Sequence, residues 1–232
     1  MAGSQTTGSI TVRSLAGHDE FAQAVDLQRA IWKFEDLELL PVRFFVVASR
    51  IGGQTLGAFD GGRMVGFLLA IPGVKPDGQK YIHSHMLGVV DEFRNAGVGQ
   101  LLKLEQKKDA LNRGFEMVEW TFDPFDVKNA YFNLERLGAV VSQYVPNMYG
   151  ATTSPLHGGL PTDRCVAQWW IASQREKLQV TRAIPVPAQR TAATQRELGE
   201  AFHSALDQGL AATGFERREH GGSYLLSPWK SK

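Results

Sequence analysis

Two glycines one residue apart, Gly97 and Gly99, stand where an apolar run meets a helical pattern, and this junction constrains the chain more than any other stretch. The segment 80–114 reads KYIHSHMLGVV, then DEFRNAGVG, then QLLKLEQKKDALNRG. The first part is apolar, β-branched and aromatic up to Val89 and Val90, which predicts a strand. The last part carries Leu101, Leu104 and Leu111 at helical spacing and stops at Gly114, which predicts a helix. Between them, Arg94-Asn95-Ala96-Gly97-Val98-Gly99 predicts a tight turn. Glycine lets a backbone approach a ligand closely. The first amides of a helix lack intrahelical partners and carry partial positive charge. That combination binds phosphate groups.

Two other phosphate loops fit less well. A Walker loop requires Gly-Lys-Ser/Thr, and Gly99 is followed by Gln100. A Rossmann loop requires a third glycine three residues after Gly99, where Leu102 stands.

The rest of the sequence bounds the class. At 232 residues, 43% hydrophobic and 21% charged, the chain suits one large domain, or one domain plus an appendage. A formal net charge of +1 supplies no global field for nucleic acid or an anionic membrane. The single cysteine, Cys165, excludes an internal disulfide framework and a multi-cysteine metal site, and fits a reducing cytoplasm. The first residues lack the apolar core of a signal peptide, and no run approaches the ~20 apolar residues of a membrane span.

Read in order, residues 1–8 are a small polar tail and 9–15 a strand. Helices follow over 18–32 and 42–50, the second opening at Pro41. Strands 55–59 and 64–71 form a hairpin about Gly61-Gly62, and 72–78 is a loop. After the 80–114 unit come a strand at 117–122, a helix at 127–137 ending at Gly138, and a strand at 139–145. A loop at 149–161 and a strand at 165–172 complete a β-α-α-β-β-β-α-β-α-β-β order. This implies an α/β (α+β) fold, a mixed, mostly antiparallel sheet flanked by helices. Residues 173–232 add a small β-α-β extension: a strand at 179–187, a helix at 195–212 and a hairpin about Gly221-Gly222.

Arg94-x-x-Gly97-x-Gly99 between strand and helix resembles the acetyl-CoA signature of the GNAT acyltransferase superfamily, R/Q-x-x-G-x-G/A. The element order over 9–172 resembles that fold too, which makes 9–172 the expected core and 173–232 an extension packed on it. The resemblance implies acetyl-CoA or another acyl-CoA as co-substrate. The backbone of Leu87, Gly88 and Val89 would hold the pantetheine arm, in a wedge where the strand before the loop splays from the strand after the helix. Arg94, Asn95, Ala96, Gly97, Val98 and Gly99 would hold the diphosphate, and Asn129 is a further cofactor contact.

Two histidines precede the loop. Period two places His83, His85, Leu87 and Val89 on one side of the strand. Acylating an amine requires a proton acceptor, and an imidazole titrating near neutrality suits that task. HSHMLGV followed by FRNAGVG is similar to the paired-histidine strand of the serotonin N-acetyltransferase branch, where such histidines help remove the amine proton. The superfamily's usual acid is a tyrosine four residues before the glycine ending the late helix. Here that position is Leu134, and Tyr131, one turn earlier, is the candidate in its place. Asp123, before Pro124, is read as a turn former and Cys165 as a poor nucleophile. The aromatics of 117–122 and 165–172 are read as core.

The expected activity is transfer of an acyl group to a primary amine of a small molecule or amino acid, in the cytoplasm, with no metal. The alternative is a non-catalytic acyl-CoA-binding module. The Trp169-Trp170 strand is a candidate for pairing across a homodimer.

Overall fold

The computed structural model describes residues 10–150, 159–173 and 178–230. The tail read over 1–8 and the 151–158 part of the 149–161 loop lie outside them. Residues up to Glu116 form one compact unit, and those from Met117 form a second.

The first unit runs β1 (Thr11–Ser14), α1 (Gly17–Trp32), α2 (Val42–Arg50), β2 (Gln54–Asp60), β3 (Arg63–Val74), β4 (Lys80–Val89) and α3 (Val98–Asn112). Its strands pair antiparallel in sequence order. β3 runs three residues beyond the expected Ile71, because Pro72, Gly73 and Val74 pair with Ile82, Tyr81 and Lys80.

One sheet face carries α1 and α2. Phe21 and Ala24 of α1 and Phe45 and Ala48 of α2 form a core with Phe59, Met64, Phe67 and Leu69. Phe21 stacks on Phe45 at 5.9 Å, and Trp32 sets its edge on Phe67 at 5.9 Å. Full burial of one such phenylalanine stabilises by about 1.5–3 kcal/mol. Gln28, fully buried in α1, donates to the carbonyl of Leu40 at 3.1 Å and accepts from its amide at 3.0 Å. That pair of bonds fixes the segment entering α2 and satisfies a polar side chain that burial alone would penalise.

The leucines that mark α3 are not its buried face. Leu101, Leu104 and Leu111 are 38–46% exposed, and the buried face carries Val98, Leu102, Lys103, Gln106 and Ala110. The leucine spacing marks the helix, and the buried face is a different one. The inward glutamine and lysine are tolerated because they bond to each other and to the sheet.

The second unit runs β5 (Met117–Phe122), α4 (Val127–Tyr131), β6 (Val140–Val145), β7 (Arg164–Trp170), β8 (Arg182–Pro185), α5 (Ala192–Leu206), β9 (Leu210–Arg218) and β10 (Gly221–Pro228). Its sheet order is β5-β7-β6-β9-β10-β8. β7 therefore has a partner on each edge. The β6 pairing covers Arg164 to Gln168, the β5 pairing reaches Trp170, and Trp169 packs edge-on against Trp120 at 6.3 Å as core. α4 continues as a π-helical turn over Phe132–Arg136, closed by the Leu137 amide on the Phe132 carbonyl at 3.0 Å.

Residues 178–230 extend this sheet through the β6–β9 pairing of Val141 with Ala212. α5 starts in a capping box, with Thr191 and Thr194 each bonding the other's backbone amide. It ends at Leu206 rather than the expected Ala212, because Leu210–Ala212 already belong to β9. Phe202 of α5 stacks on Tyr144 at 5.2 Å and meets Tyr224 at 4.9 Å, binding helix to sheet.

Gly53, between α2 and β2, tests the packing of the first unit. A Cβ there would lie 2.4 Å from the Ala70 carbonyl oxygen and 2.7 Å from that of Ala48. Both are backbone atoms, so the loop itself must move. Gly53→Ala is expected to lower stability in urea unfolding by about 1–3 kcal/mol, and an unchanged midpoint would contradict this packing.

Candidate active site

The site is built on β4 and the start of α3. β4 does not alternate evenly. Met86 pairs with Leu69 and Ser84 with Ala70, so His85 is one residue too many for β3. A bulge of this kind breaks the period of two and turns the strand. On the loop side of it, Leu87 and Val89 face α3. Leu87 lies 3.6 Å from where a Cβ on Gly99 would stand, and Val89 and Val98 flank the same point above Gly66 at 3.3 and 3.4 Å. Met86 and Gly88 face the other way, Met86 against the α1–α2 core and Gly88 against Ile31 and Trp32.

Beyond the bulge the faces exchange. Ser84 lies on the α3 side, bonded to Lys103. His83 pairs with Ile71, which packs on the α1–α2 core. The His85 ring lies 6.4 Å from Phe44 of α2 and 5.8 Å from His83. The histidines are therefore together, but Leu87 and Val89 are on the opposite face. The expectation that all four share one side fails at the extra residue.

His85 is exposed to solvent, with Phe44 on one side of its ring at 6.4 Å. Partial burial on that side pushes its pKa below the ordinary imidazole value. At neutral pH the ring is held in the form that accepts a proton.

The loop after β4 begins with the Val90 amide bonded to Val65 at 3.0 Å. A short turn, Asp91–Phe93, follows. Asn95 and Gly97 then take left-handed backbone angles, φ 64° and 82°. Nothing lies within 4 Å of the point where a Cβ on Gly97 would stand, so the demand for glycine there is conformational. Gly97 is the N-cap of α3 and no side chain caps it. Its carbonyl takes the first helical bond, from Leu101 at 3.1 Å. The amides of Val98, Gly99 and Gln100 precede that bond and have no partner one turn back. Two amides of this turn are already engaged, that of Arg94 on the Asp91 carbonyl at 3.2 Å and that of Ala96 on the Phe93 carbonyl at 3.4 Å. Residues Arg94 to Gly97 are exposed. Arg94 pairs with Asp91 at 2.8 Å, half exposed, so the loop's positive character comes mainly from the helix start. An open, uncapped helix start entered through a left-handed glycine fits a diphosphate.

Behind the loop, α3 carries a buried polar chain that the sequence reading missed. Lys103 donates to Ser84 at 2.9 Å and to the side-chain oxygen of Gln106 at 3.0 Å. Gln106 donates to Gln54 at 2.9 Å, and Gln54 donates to Asp109 at 2.6 Å. Burial holds the Lys103 amine well below the ordinary lysine pKa. The available signal was Lys103 and Gln106 one turn apart, both off the leucine stripe.

The remaining candidates lie in the second unit. Leu134 is fully buried, so the position usual for the acid is core. Tyr131 is half-buried, with the Arg217 guanidinium over its ring at 5.7 Å. Asn129 is exposed, and its amide donates to the N-capping Asp126 at 3.0 Å. Asp123 accepts from the Phe125 amide at 2.9 Å, as a turn former does, and also pairs with Arg190 at 2.6 Å, a partner 67 residues away. Cys165 is fully buried, and burial pushes its thiol pKa up, which removes it as a nucleophile. Among the described residues no group of three or more His, Cys, Asp or Glu is placed to hold a metal, and no helix is long and apolar enough to cross a membrane.

No family model and no curated protein matches the sequence. Solved structures match the fold. The ribosomal-protein-S18-alanine N-acetyltransferase from Escherichia coli superposes with a TM-score of 0.56 at 17% identity, covering 74% of this chain and 99% of that one. An aminoglycoside 6'-acetyltransferase type Ii gives 0.55 at 20%, over 71% and 99%. The yncA protein of Salmonella typhimurium, solved with its cofactor acetyl-CoA, gives 0.57 at 14%, over 70% and 94%. The chain has the fold of the GNAT acetyltransferases: α/β, with a mostly antiparallel sheet flanked by helices.

Lys103 gives the first unit a pH signature. Its folded pKa lies below the unfolded value near 10.5, so between those two the unfolded chain binds more protons. Stability should rise with pH through that window and level off above it. Urea midpoints measured from pH 7 to 10.5 are expected to climb in the native chain and to climb less in Lys103→Met. Equal slopes would contradict a buried, deprotonation-prone amine.

Proposed function

We propose that this chain is an acyl-CoA-dependent N-acyltransferase of the GNAT superfamily, and within that an N-acetyltransferase acting on a primary amine of a small molecule or amino acid. The observation that carries the reading is local. An uncapped helix start, entered through left-handed Gly97, directly follows a strand whose bulge carries an imidazole with a lowered pKa. The first feature suits a diphosphate and the second suits an amine proton. The fold shared with acetyltransferases, one of them holding acetyl-CoA, supports the same reading.

In this reading Asn95, Gly97, Val98 and Gly99 hold the diphosphate through their amides, with Ala96 shaping the turn and Arg94 at its rim. The backbone of Leu87, Gly88 and Val89 holds the pantetheine arm, and Asn129 is a peripheral contact. Acyl-CoA supplies an activated thioester when bound. His85 takes the proton from the incoming ammonium, directly or through water, and His83 lies next to it to pass the charge on. Tyr131 is the candidate to return a proton to the departing thiolate. Residues 9–172 are the catalytic core and 173–232 an extension of it. The single buried thiol of Cys165 suits a cytoplasmic enzyme.

A second reading keeps acyl-CoA binding without turnover. The observation favouring it is Leu134, fully buried where the superfamily's acid usually stands.

Calorimetric titration with acetyl-CoA, followed by the His83→Ala/His85→Ala double variant, tests both. The enzyme reading expects saturable binding, and a fall in kcat/KM of about 10²–10⁴ in the double variant with CoA affinity retained. Binding with no turnover toward any amine supports the second reading. Absence of binding by every acyl-CoA overturns both.

A further inference from the structure

The bulge that sets the histidines apart from Leu87 and Val89 needs something to fix it at His85. The ladder alone does not choose. If the extra residue were Ser84 instead, His85 would pair with Ala70 and its ring would point under α3, while Met86 and His83 kept their partners. The two arrangements differ by one residue in the position of the bulge, and such shifts are weakly specified by backbone pairing.

What distinguishes them is the residue opposite Ala70. On that side α3 presents Lys103, 3% exposed, and Gln106, fully buried. Ser84 is 5% exposed and its hydroxyl takes the Lys103 amine at 2.9 Å. Gln106 takes the same amine at 3.0 Å and is held in turn by Gln54, whose side chain also reaches the Gln106 carbonyl at 3.0 Å. Moving the bulge would withdraw the hydroxyl and set an imidazole against this chain of donors and acceptors. A buried polar group that loses a partner bears the full cost of its desolvation. A buried lysine is weak evidence for stability as such, since an apolar residue fills the space without that cost. Its effect here is on which residue bulges.

We propose that Lys103 is a positioning residue: through its hydrogen bond to Ser84 it fixes the β4 bulge at His85 and so holds the His85 ring on the α2 side of the strand, beside His83. The consequence for turnover rests on the reading of these histidines as proton acceptors. The geometric part does not.

Ser84→Ala and Lys103→Met, made in the full chain, separate the two parts. The first readout is the NMR contact between the rings of His85 and Phe44, whose centroids lie 6.4 Å apart. It is expected to be strong in the native chain, lost or reduced at least threefold in both variants, and restored in Ser84→Thr, which keeps the hydroxyl. The second readout is kinetic, an expected fall in kcat of at least tenfold with CoA affinity within twofold. A ring contact of native intensity in Ser84→Ala overturns the proposal, and that variant decides alone if Lys103→Met does not fold. A lost ring contact with native kcat upholds the hold on the bulge and overturns the role given to the histidines. A chain without any turnover leaves the ring contact as the deciding result.

Discussion

One residue too many in β4 decides which side chains the strand presents on each face. With even alternation, Ser84 would point into the phenylalanine-rich α1–α2 core with Met86 and Gly88, and His83 and His85 would lie under α3. With His85 bulged, the small hydroxyl reaches Lys103 and both imidazoles lie on the α2 side, His85 beside Phe44. Partial burial there lowers the His85 pKa, which is the property a proton acceptor requires near neutrality. Packing, buried hydrogen bonding and a lowered imidazole pKa thus meet at a single irregularity.

The loop that follows depends on the same strand. Val89 packs at the start of α3 beside Val98, and the Val90 amide is bonded to β3, so the chain leaves the sheet at a fixed point. The left-handed residues Asn95 and Gly97 then turn the first amides of α3 outward without a side chain to cap them. The cost of an uncapped helix start is small but real. It is offset by the burial of Val98 and Leu102 one turn further on. In the second unit, two buried tyrosines and a glutamate show the contrasting case of groups engaged by hydrogen bonds. Tyr144 donates to Asp163 at 2.6 Å, and burial together with that carboxylate raises its pKa above the ordinary phenol range. Tyr224 donates to the Pro124 carbonyl at 2.8 Å, and Glu135 accepts from the Phe215 amide at 2.7 Å. These bonds tie β9 and β10 to the start and end of the α4 segment.

The strand, turn and helix of 80–114 were legible because each has a local signal: β-branched residues, paired glycines and a 3.6-residue repeat. The element order over 9–172 was legible for the same reason. The orientation of α3 was not. Leu101, Leu104 and Leu111 are the obvious apolar set, yet the buried face includes Lys103 and Gln106, whose partners Ser84 and Gln54 lie 19 and 52 residues away. Periodicity weighs each residue by its own polarity and cannot see a partner that removes the cost of burying it. The bulge was hidden likewise, because an extra residue is defined against β3 and leaves no mark in β4. The Asp123–Arg190 pair spans two elements that no local pattern connects. The end of α5 was misjudged because Leu210 to Ala212 continue an apolar pattern that a strand uses equally well.

The central claim is that the amides of Asn95, Gly97, Val98 and Gly99 grip a diphosphate. Backbone ¹⁵N–¹H spectra recorded during a titration with coenzyme A read those amides one at a time. The account predicts the largest shifts at Asn95, Gly97, Val98 and Gly99. Saturation with those four signals unmoved, and the shifts concentrated elsewhere in the chain, would contradict it.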